Sequence, residues 1–314
     1  MFITWSLIQS ALELGIIYGI IALALFLTYS MLNVCDLSTD GCYTMGAAAG
    51  AVVALAGHPF LALFAAMGAG VLSGLVNAFL QTKMKVESML AGIIVNTGLY
   101  TVNICIMGKS NLNMNTTTTV FSMMKDLTKG TPFESYSKMI VALIFLVIIA
   151  VLLTMFLGTR LGLSIRATGN NIAMVKSSSI NPAMTTTVGL CMGGAMTALA
   201  GCLLGEYQKS VDVNMGTGMV TVALASLIIG ETVFGRKTIK IRIFGVILGS
   251  CLYRVIVAIA LRFNLPASAL KLVSAVIVAI AISIPAIKEM IALQKTKRTA
   301  MIRHKELYEQ KGGK

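Results

Sequence analysis

The 314-residue chain is 57% hydrophobic and 12% charged, with a mean hydropathy of +0.86. A soluble domain carries roughly 25% charged residues, so a soluble globular protein is excluded and a polytopic membrane protein indicated. A formal charge of +13 would suit a nucleic-acid binder, but the basic residues fall between apolar runs, as on the cytoplasmic face of a membrane protein, and no nucleic-acid partner is expected.

The N-terminus, "MFITWSLIQS", has no Lys or Arg before its apolar run and no A-x-A cleavage site. Residues 5–29 therefore read as a retained first span and not as a signal peptide. Further apolar segments follow at about 43–57, 59–81, 88–107, 138–157, 184–205, 217–234, 241–262 and 267–288. The fold class expected is an all-α transmembrane helix bundle of about nine spans, within a range of eight to ten.

The first interruption is "NVCDLSTDGCYTMGAAAGAVVALAG" (33–57). An aspartate at mid-membrane costs roughly 2.5–3.5 kcal/mol on insertion scales, so Asp36 and Asp40 must face water, protein or an interface. Together with Ser38 they are candidate residues of a substrate path through a broken helix; a plain cytoplasmic loop between two spans is the competing reading. Asn77, Asn96 and Asn103 lie within spans and either line such a path or tie helices together. The segment 108–137, "GKSNLNMNTTTTVFSMMKDLTKGTPFESYS", is polar and Thr/Asn-rich, and reads as an external loop.

The 19 uncharged residues of "MIVALIFLVIIAVLLTMFL" (139–157) lead into the polar stretch 162–184, which holds Gly169-Asn170-Asn171, three serines and an Asn181-Pro182 stop. A second acidic, glycine-bearing break, "SVDVNMGTGMVTVALASLIIG" (210–230), adds Asp212, Asn214 and Glu231 to the path candidates. Each break precedes a helix with a G-x-x-x-G motif, Gly70/Gly74 in one and Gly245/Gly249 in the other. Both Gly41/Gly216 and Gly70/Gly245 are 175 residues apart. Five segments separate the two units, so they would cross the membrane in opposite directions, which is the pattern of an inverted repeat with broken helices. Arg254, inside an otherwise apolar span, needs a partner, for which Glu231 is the candidate.

"GETVFGRKT" (230–238) departs from a P-loop because Arg236 intervenes before Lys237 and the stretch follows a membrane span. No other catalytic motif occurs, and the six cysteines include no C-x-x-C pair. No enzyme, metal site or cofactor is expected in this chain. Seventeen of the 25 basic residues fall on one side, in the loops around 83–85, 160–176 and 236–242 and in the tail after 287. That side is expected to be cytoplasmic, with the N-terminus outside and the C-terminus, including the basic tail 291–314, inside.

"IRATGNNIAMVKSSSIN" (165–181) resembles the cytoplasmic coupling loop of ABC-importer permeases of the branched-chain amino acid and ribose class, in which Ala167, Gly169 and Asn171 match the usual Ala-x-Gly-x-Asn. Ser179 stands where that family usually has glycine. "DLSTDGCYTMGA" (36–47) and "GVLSGLVNAFLQTKMKVESMLAGII" (70–94) are also similar, and "DVNMGTGMVTVALASLIIGE" (212–231) looks most like the tryptophan/tyrosine-type branch. The resemblance implies a permease domain over 1–290 in a bacterial plasma membrane, working as a homodimer. Two cytoplasmic ATPase subunits would bind the ATP and Mg, and an external solute-binding protein would deliver an amino acid, aromatic in the favoured case.

A short helix entered through a flexible Gly169 would dock on the ATPase. Asn170, Asn171, Ile172, Ala173, Met174 and Val175 would supply contacts, with Arg166 and Lys176 at the rim. The rival is an ion-coupled secondary transporter using Asp36, Asp40 or Glu231 as the coupling carboxylate; a scaffold subunit with no path is the weaker third reading.

Overall fold

In a computed structural model the described residues are 5–130, 134–235, 238–261 and single positions between 272 and 301. In chain order they form α1 (Trp5–Leu25), lengthened to Met31 by a wider turn, then α2 (Thr39–Leu55), α3 (Pro59–Thr82), α4 (Ser88–Met107), β1 (Asn111–Asn113), α5 (Val120–Leu127) and α6 (Ser137–Gly158). After these come α7 (Arg160–Asn170), α8 (Ile172–Ser177), α9 (Pro182–Gln208), β2 (Ser210–Asp212), α10 (Met219–Phe234) and α11 (Ile239–Leu261). Six helices among the described residues are long and apolar enough to cross a membrane: Trp5–Met31, Pro59–Thr82, Ser88–Met107, Glu134–Gly158, Pro182–Gln208 and Ile239–Ala260. The segments expected at 43–57 and 217–234 are helices of 17 and 16 residues, at the short limit of a crossing of about 17–25 residues. The segment expected at 267–288 and the tail 291–314 lie outside the described residues apart from single positions.

α1 and α9 occupy the centre. Both are apolar around their circumference, as a helix buried on all sides must be, and Gly15–Thr28 and Gly193–Glu206 are buried without interruption. They run antiparallel. Near the C-terminal end of α1, Thr28 meets Gly193 and Leu32 meets Gly189, while near its N-terminal end Glu13 accepts a hydrogen bond from Tyr207 (2.8 Å).

Around this pair the chain exchanges partners. α9 packs most extensively on α3 and α2, and α1 on α11, with α9, α6 and then α10 also against it. Each central helix is followed by a non-helical break, a short helix and a long helix, and each packs against the short and long helices that follow the other. Small residues allow the close approach, since lipid provides no hydrophobic drive between helices: a Cβ on Gly46 would lie 2.0 Å from Ala198 O, and one on Gly70 2.3 Å from Gly194 O.

The glycines paired by their 175-residue spacing are not equivalent in space. Gly70 and Gly74 face α9, whereas Gly245 and Gly249 face α10 at Gly230 and Ser226. Gly41 lies in the first turn of α2, but Gly216 lies in the break ahead of α10.

The segment expected as an external loop carries structure of its own. β1 pairs antiparallel with β2, with Leu112 opposite Val211. Thr119 and Ser122 form a reciprocal cap at the start of α5, and the Glu206 carboxylate accepts from Val120 N (2.9 Å). Leu112, Met114, Val120 and Phe121 are buried in the main core.

Candidate functional site

The first break, Leu32–Ser38, packs against α3, α4, α7 and α9. A single oxygen of Asp36 accepts from Ser38 N (2.8 Å), Ser38 Oγ (2.5 Å) and Asn77 Nδ2 (2.8 Å). Asp36 is 6% exposed and Asn77 fully buried, so these donors replace the hydration that burial removes. Asp36, Ser38 and Asn77 therefore form a bracket holding the break against α3. A Cβ on Gly92 would lie 2.7 Å from Leu37 N, so α4 closes on the same segment from another side.

Asp40, one turn on, does something different. Its two oxygens accept from Gly218 N (2.8 Å) and Val220 N (2.9 Å), the first amides of α10. Free N–H groups and the positive end of the helix dipole make this a favourable position for a carboxylate. The N-termini of the two short helices thus meet, and they do so deep in the bundle: Cys42 donates to Gly194 O, near the middle of α9 (3.4 Å). The second break is packed as tightly, because a Cβ on Gly216 would lie 2.1 Å from Asp40 O.

Beside this junction lies a polar cavity of about 300 Å³. Its wall comes from the first turns of α2 (Asp40, Thr44), from α4 (Asn96, Tyr100, Asn103) and from the second break (Asn214, Thr217). Asn96, Tyr100 and Asn103 stand at i, i+4 and i+7, one face of a helix. Asn103 is 1% exposed; its amide nitrogen donates to Gly41 O (3.2 Å), and its buried Oδ1 has no partner among the described residues. The geometry therefore brings together four of the eight path candidates, Asp40, Asn96, Asn103 and Asn214. Tyr100, Thr44 and Thr217 went unremarked in the sequence, although the helical period of α4 points to Tyr100 once Asn96 and Asn103 are chosen.

The other candidates lie apart. Asp36 and Ser38 belong to the bracket. Asp212 pairs with Asn111 in the sheet, and its side chain accepts from Asn214 N (2.8 Å). Glu231, at the far end of α10, accepts from Arg242 Nε (3.1 Å) and Ser30 Oγ (3.0 Å). The partner expected for Glu231 was Arg254; the structure places Arg254 elsewhere, with its guanidinium 4.1 Å from the Tyr18 ring centre. Four residues separate α10 from α11, and Arg242, in the first turn of α11, is within reach of Glu231.

The polar stretch 162–184 folds as two helices and the start of a third. Thr159 caps α7 at Gly162 N (3.2 Å), Asn171 caps α8 at Met174 N (3.1 Å) and Asn181 caps α9 at Ala183 N (3.0 Å). Gly169 is not a flexible entry. It is helical, and a Cβ there would lie 2.2 Å from Met31 O, so its role is close approach of α7 to the end of α1. Thr168 and Thr185 share a hydrogen bond (2.8 Å) that ties α7 to α9.

Ile172 and Met174 are 55% and 62% exposed, but Val175, expected among the contact residues, is 1% exposed and fixes α8 to the bundle. Asn170, Asn171, Ala173 and Lys176 are exposed and Arg166 is half-buried. Ser179 has φ of 60°, the left-handed turn in which glycine is the unstrained choice.

The family described as "Branched-chain amino acid transport system / permease component" matches residues 7–283. A "Tyrosine transport system permease protein" of Clostridioides difficile (strain R20291) is 35% identical over 272 residues, covering 86% of this chain and 88% of that protein. An uncharacterized protein of Rickettsia prowazekii (strain Madrid E) is 29% identical over 282 residues, covering 88% and 97%. No solved structure matches.

Proposed function

Because the chain belongs to the permease family of branched-chain amino acid transport systems, we propose that it is the membrane-spanning subunit of an ATP-driven importer. In this reading an external binding protein delivers an aromatic amino acid. Two copies of the chain enclose the path, and ATP and Mg are bound by two separate cytoplasmic ATPase subunits. The permease relative named for tyrosine supports the solute class.

The observation that carries the reading is the α7–α8 pair. It is a polar projection at one end of an apolar bundle, anchored by Gly169, Thr168 and Val175, and it displays Ile172 and Met174 where no described part of the chain covers them. An apolar pair ringed by Asn170, Asn171 and Lys176 suits a groove on an ATPase. The same end holds Lys83 and Lys85 beyond α3, which supports placing it in the cytoplasm and the N-terminus outside.

The two three-helix sets, each wrapped around the other's central helix, support an inverted repeat. Two of the three carboxylates of the ion-coupled alternative are tied into the fold, Asp36 in the bracket and Glu231 with Arg242. The test is uptake of labelled tyrosine into proteoliposomes holding permease, ATPase and binding protein. Uptake should stop when the ATPase cannot hydrolyse ATP and should be indifferent to a proton or sodium gradient. Uptake that follows an ion gradient without ATP would overturn the reading.

A further inference from the structure

Resting on the importer reading, we infer that the cavity beside Asp40 is a way-station that takes the solute by its ammonium group. Its chemistry is one-sided. Asp40 contributes a carboxylate that accepts the backbone amides of Gly218 (2.8 Å), Val220 (2.9 Å) and Met219; a carboxylate has about four lone-pair sites, so one remains.

The Asn103 carbonyl oxygen stands behind the wall: it has no partner among the described residues and is closed off from the cavity. Its orientation is fixed, because Gly41 O can only accept and therefore holds the amide nitrogen on its own side. Asn96 points its oxygen at the same turn, 2.7 Å from where a Cβ on Gly41 would stand. Among the described residues lining the cavity none is basic.

An ammonium has three donors and no acceptor. It matches the carboxylate of Asp40 and the carbonyl of Asn96, and leaves one donor for a threonine hydroxyl of the wall, Thr44 or Thr217. A carboxylate meets the opposite situation. The start of α10 is the one place nearby where exposed amides and a helix dipole would attract an anion, and Asp40 already occupies it. A volume of about 300 Å³ stands at the small end of ligand sites, enough for the polar head of an amino acid, with Tyr100 and Val213 available to the apolar part.

The experiment is saturation-transfer NMR on the permease–ATPase complex in nanodiscs, in potassium buffer. The probes are L-tyrosine, tyramine (ammonium, no carboxylate) and 3-(4-hydroxyphenyl)propionate (carboxylate, no ammonium). Tyrosine and tyramine should both bind, and the propionate about tenfold more weakly or not at all. Substitution of the half-buried Asn96 by Leu (N96L) should weaken tyrosine about tenfold with the complex and its melting temperature kept; should that variant not fold, N96A carries the same expectation. Propionate binding as tightly as tyramine, no tyrosine binding in the wild type, or tyrosine binding unchanged in a folded variant would each overturn the inference.

ATP-dependent tyrosine uptake by the full importer, measured in parallel, separates the two readings. Uptake intact with these results negative removes the way-station alone. Ammonium selectivity intact without ATP-dependent uptake removes the importer reading alone.

Discussion

Asp40 shows how much one side chain can hold. Replacing it by Ala leaves the Gly218 and Val220 amides without acceptors inside the bundle, where an unmet donor costs about 1–3 kcal/mol. Asp40→Ala should therefore lower the thermal midpoint measured with a thiol-reactive dye, and Asp40→Asn, which keeps one carbonyl acceptor, should lower it by less. Ser179 gives the opposite sign: a non-glycine residue at φ 60° is strained by about 1–2 kcal/mol, so Ser179→Gly should raise the midpoint in the same assay.

At this scale the sequence was readable where the chemistry is intrinsic. A charged or amide side chain in an apolar run announces itself, which is how Asp40, Asn96, Asn103 and Asn214 were found. What each one touches was not readable. Asp36 and Asp40 lie four residues apart with the same charge, yet one brackets a loop and the other caps a helix from a distant part of the chain. Likewise Glu231 had two arginines in the following helix, and only the short connection to α11 selects Arg242.

Among the elements, α8 separates two roles that the sequence had merged. The run Ile172 to Val175 is apolar throughout, but the caps at Asn171 and Asn181 fix the turn so that Met174 faces out at 62% exposure and Val175 faces in at 1%. Met174→Asp should keep the melting temperature and abolish co-purification with the ATPase. Val175→Ala should cost about 2 kcal/mol of stability while leaving the docking face intact. If Met174→Asp still co-purifies with the ATPase, its contact lies off α8. Helix starts were readable here from Thr159, Asn171 and Asn181. Gly169 misled, because a glycine in a polar stretch looks like a hinge until the backbone packed against it is known.

For the whole molecule, the exchange of α1 and α9 was the least readable feature. Both helices are apolar on every side, so their sequences mark burial without marking neighbours. Its consequence is testable: a set of helices lacking its central member leaves α2–α3 or α10–α11 without the helix they pack on. Residues 1–130 and 134–314 expressed separately should each fail to yield folded protein, and co-expression should restore a complex stable to gel filtration. Separate halves that fold would place the stabilising contacts within each set.

Gly169 also fixes where a movement of α7 is felt. With Met31 O only 2.2 Å from the place a Cβ would occupy, α7 leans directly on the end of α1, where the helix stops and the Leu32–Ser38 strap begins. Asp36 and Asn77 tie that strap to α3, and Asp40 then joins α2 to α10. A displacement at the polar end therefore enters the bundle at the unwound Leu32–Ser38 segment. It reaches the two short helices as a linked pair, like a tug on the string from which both are hung.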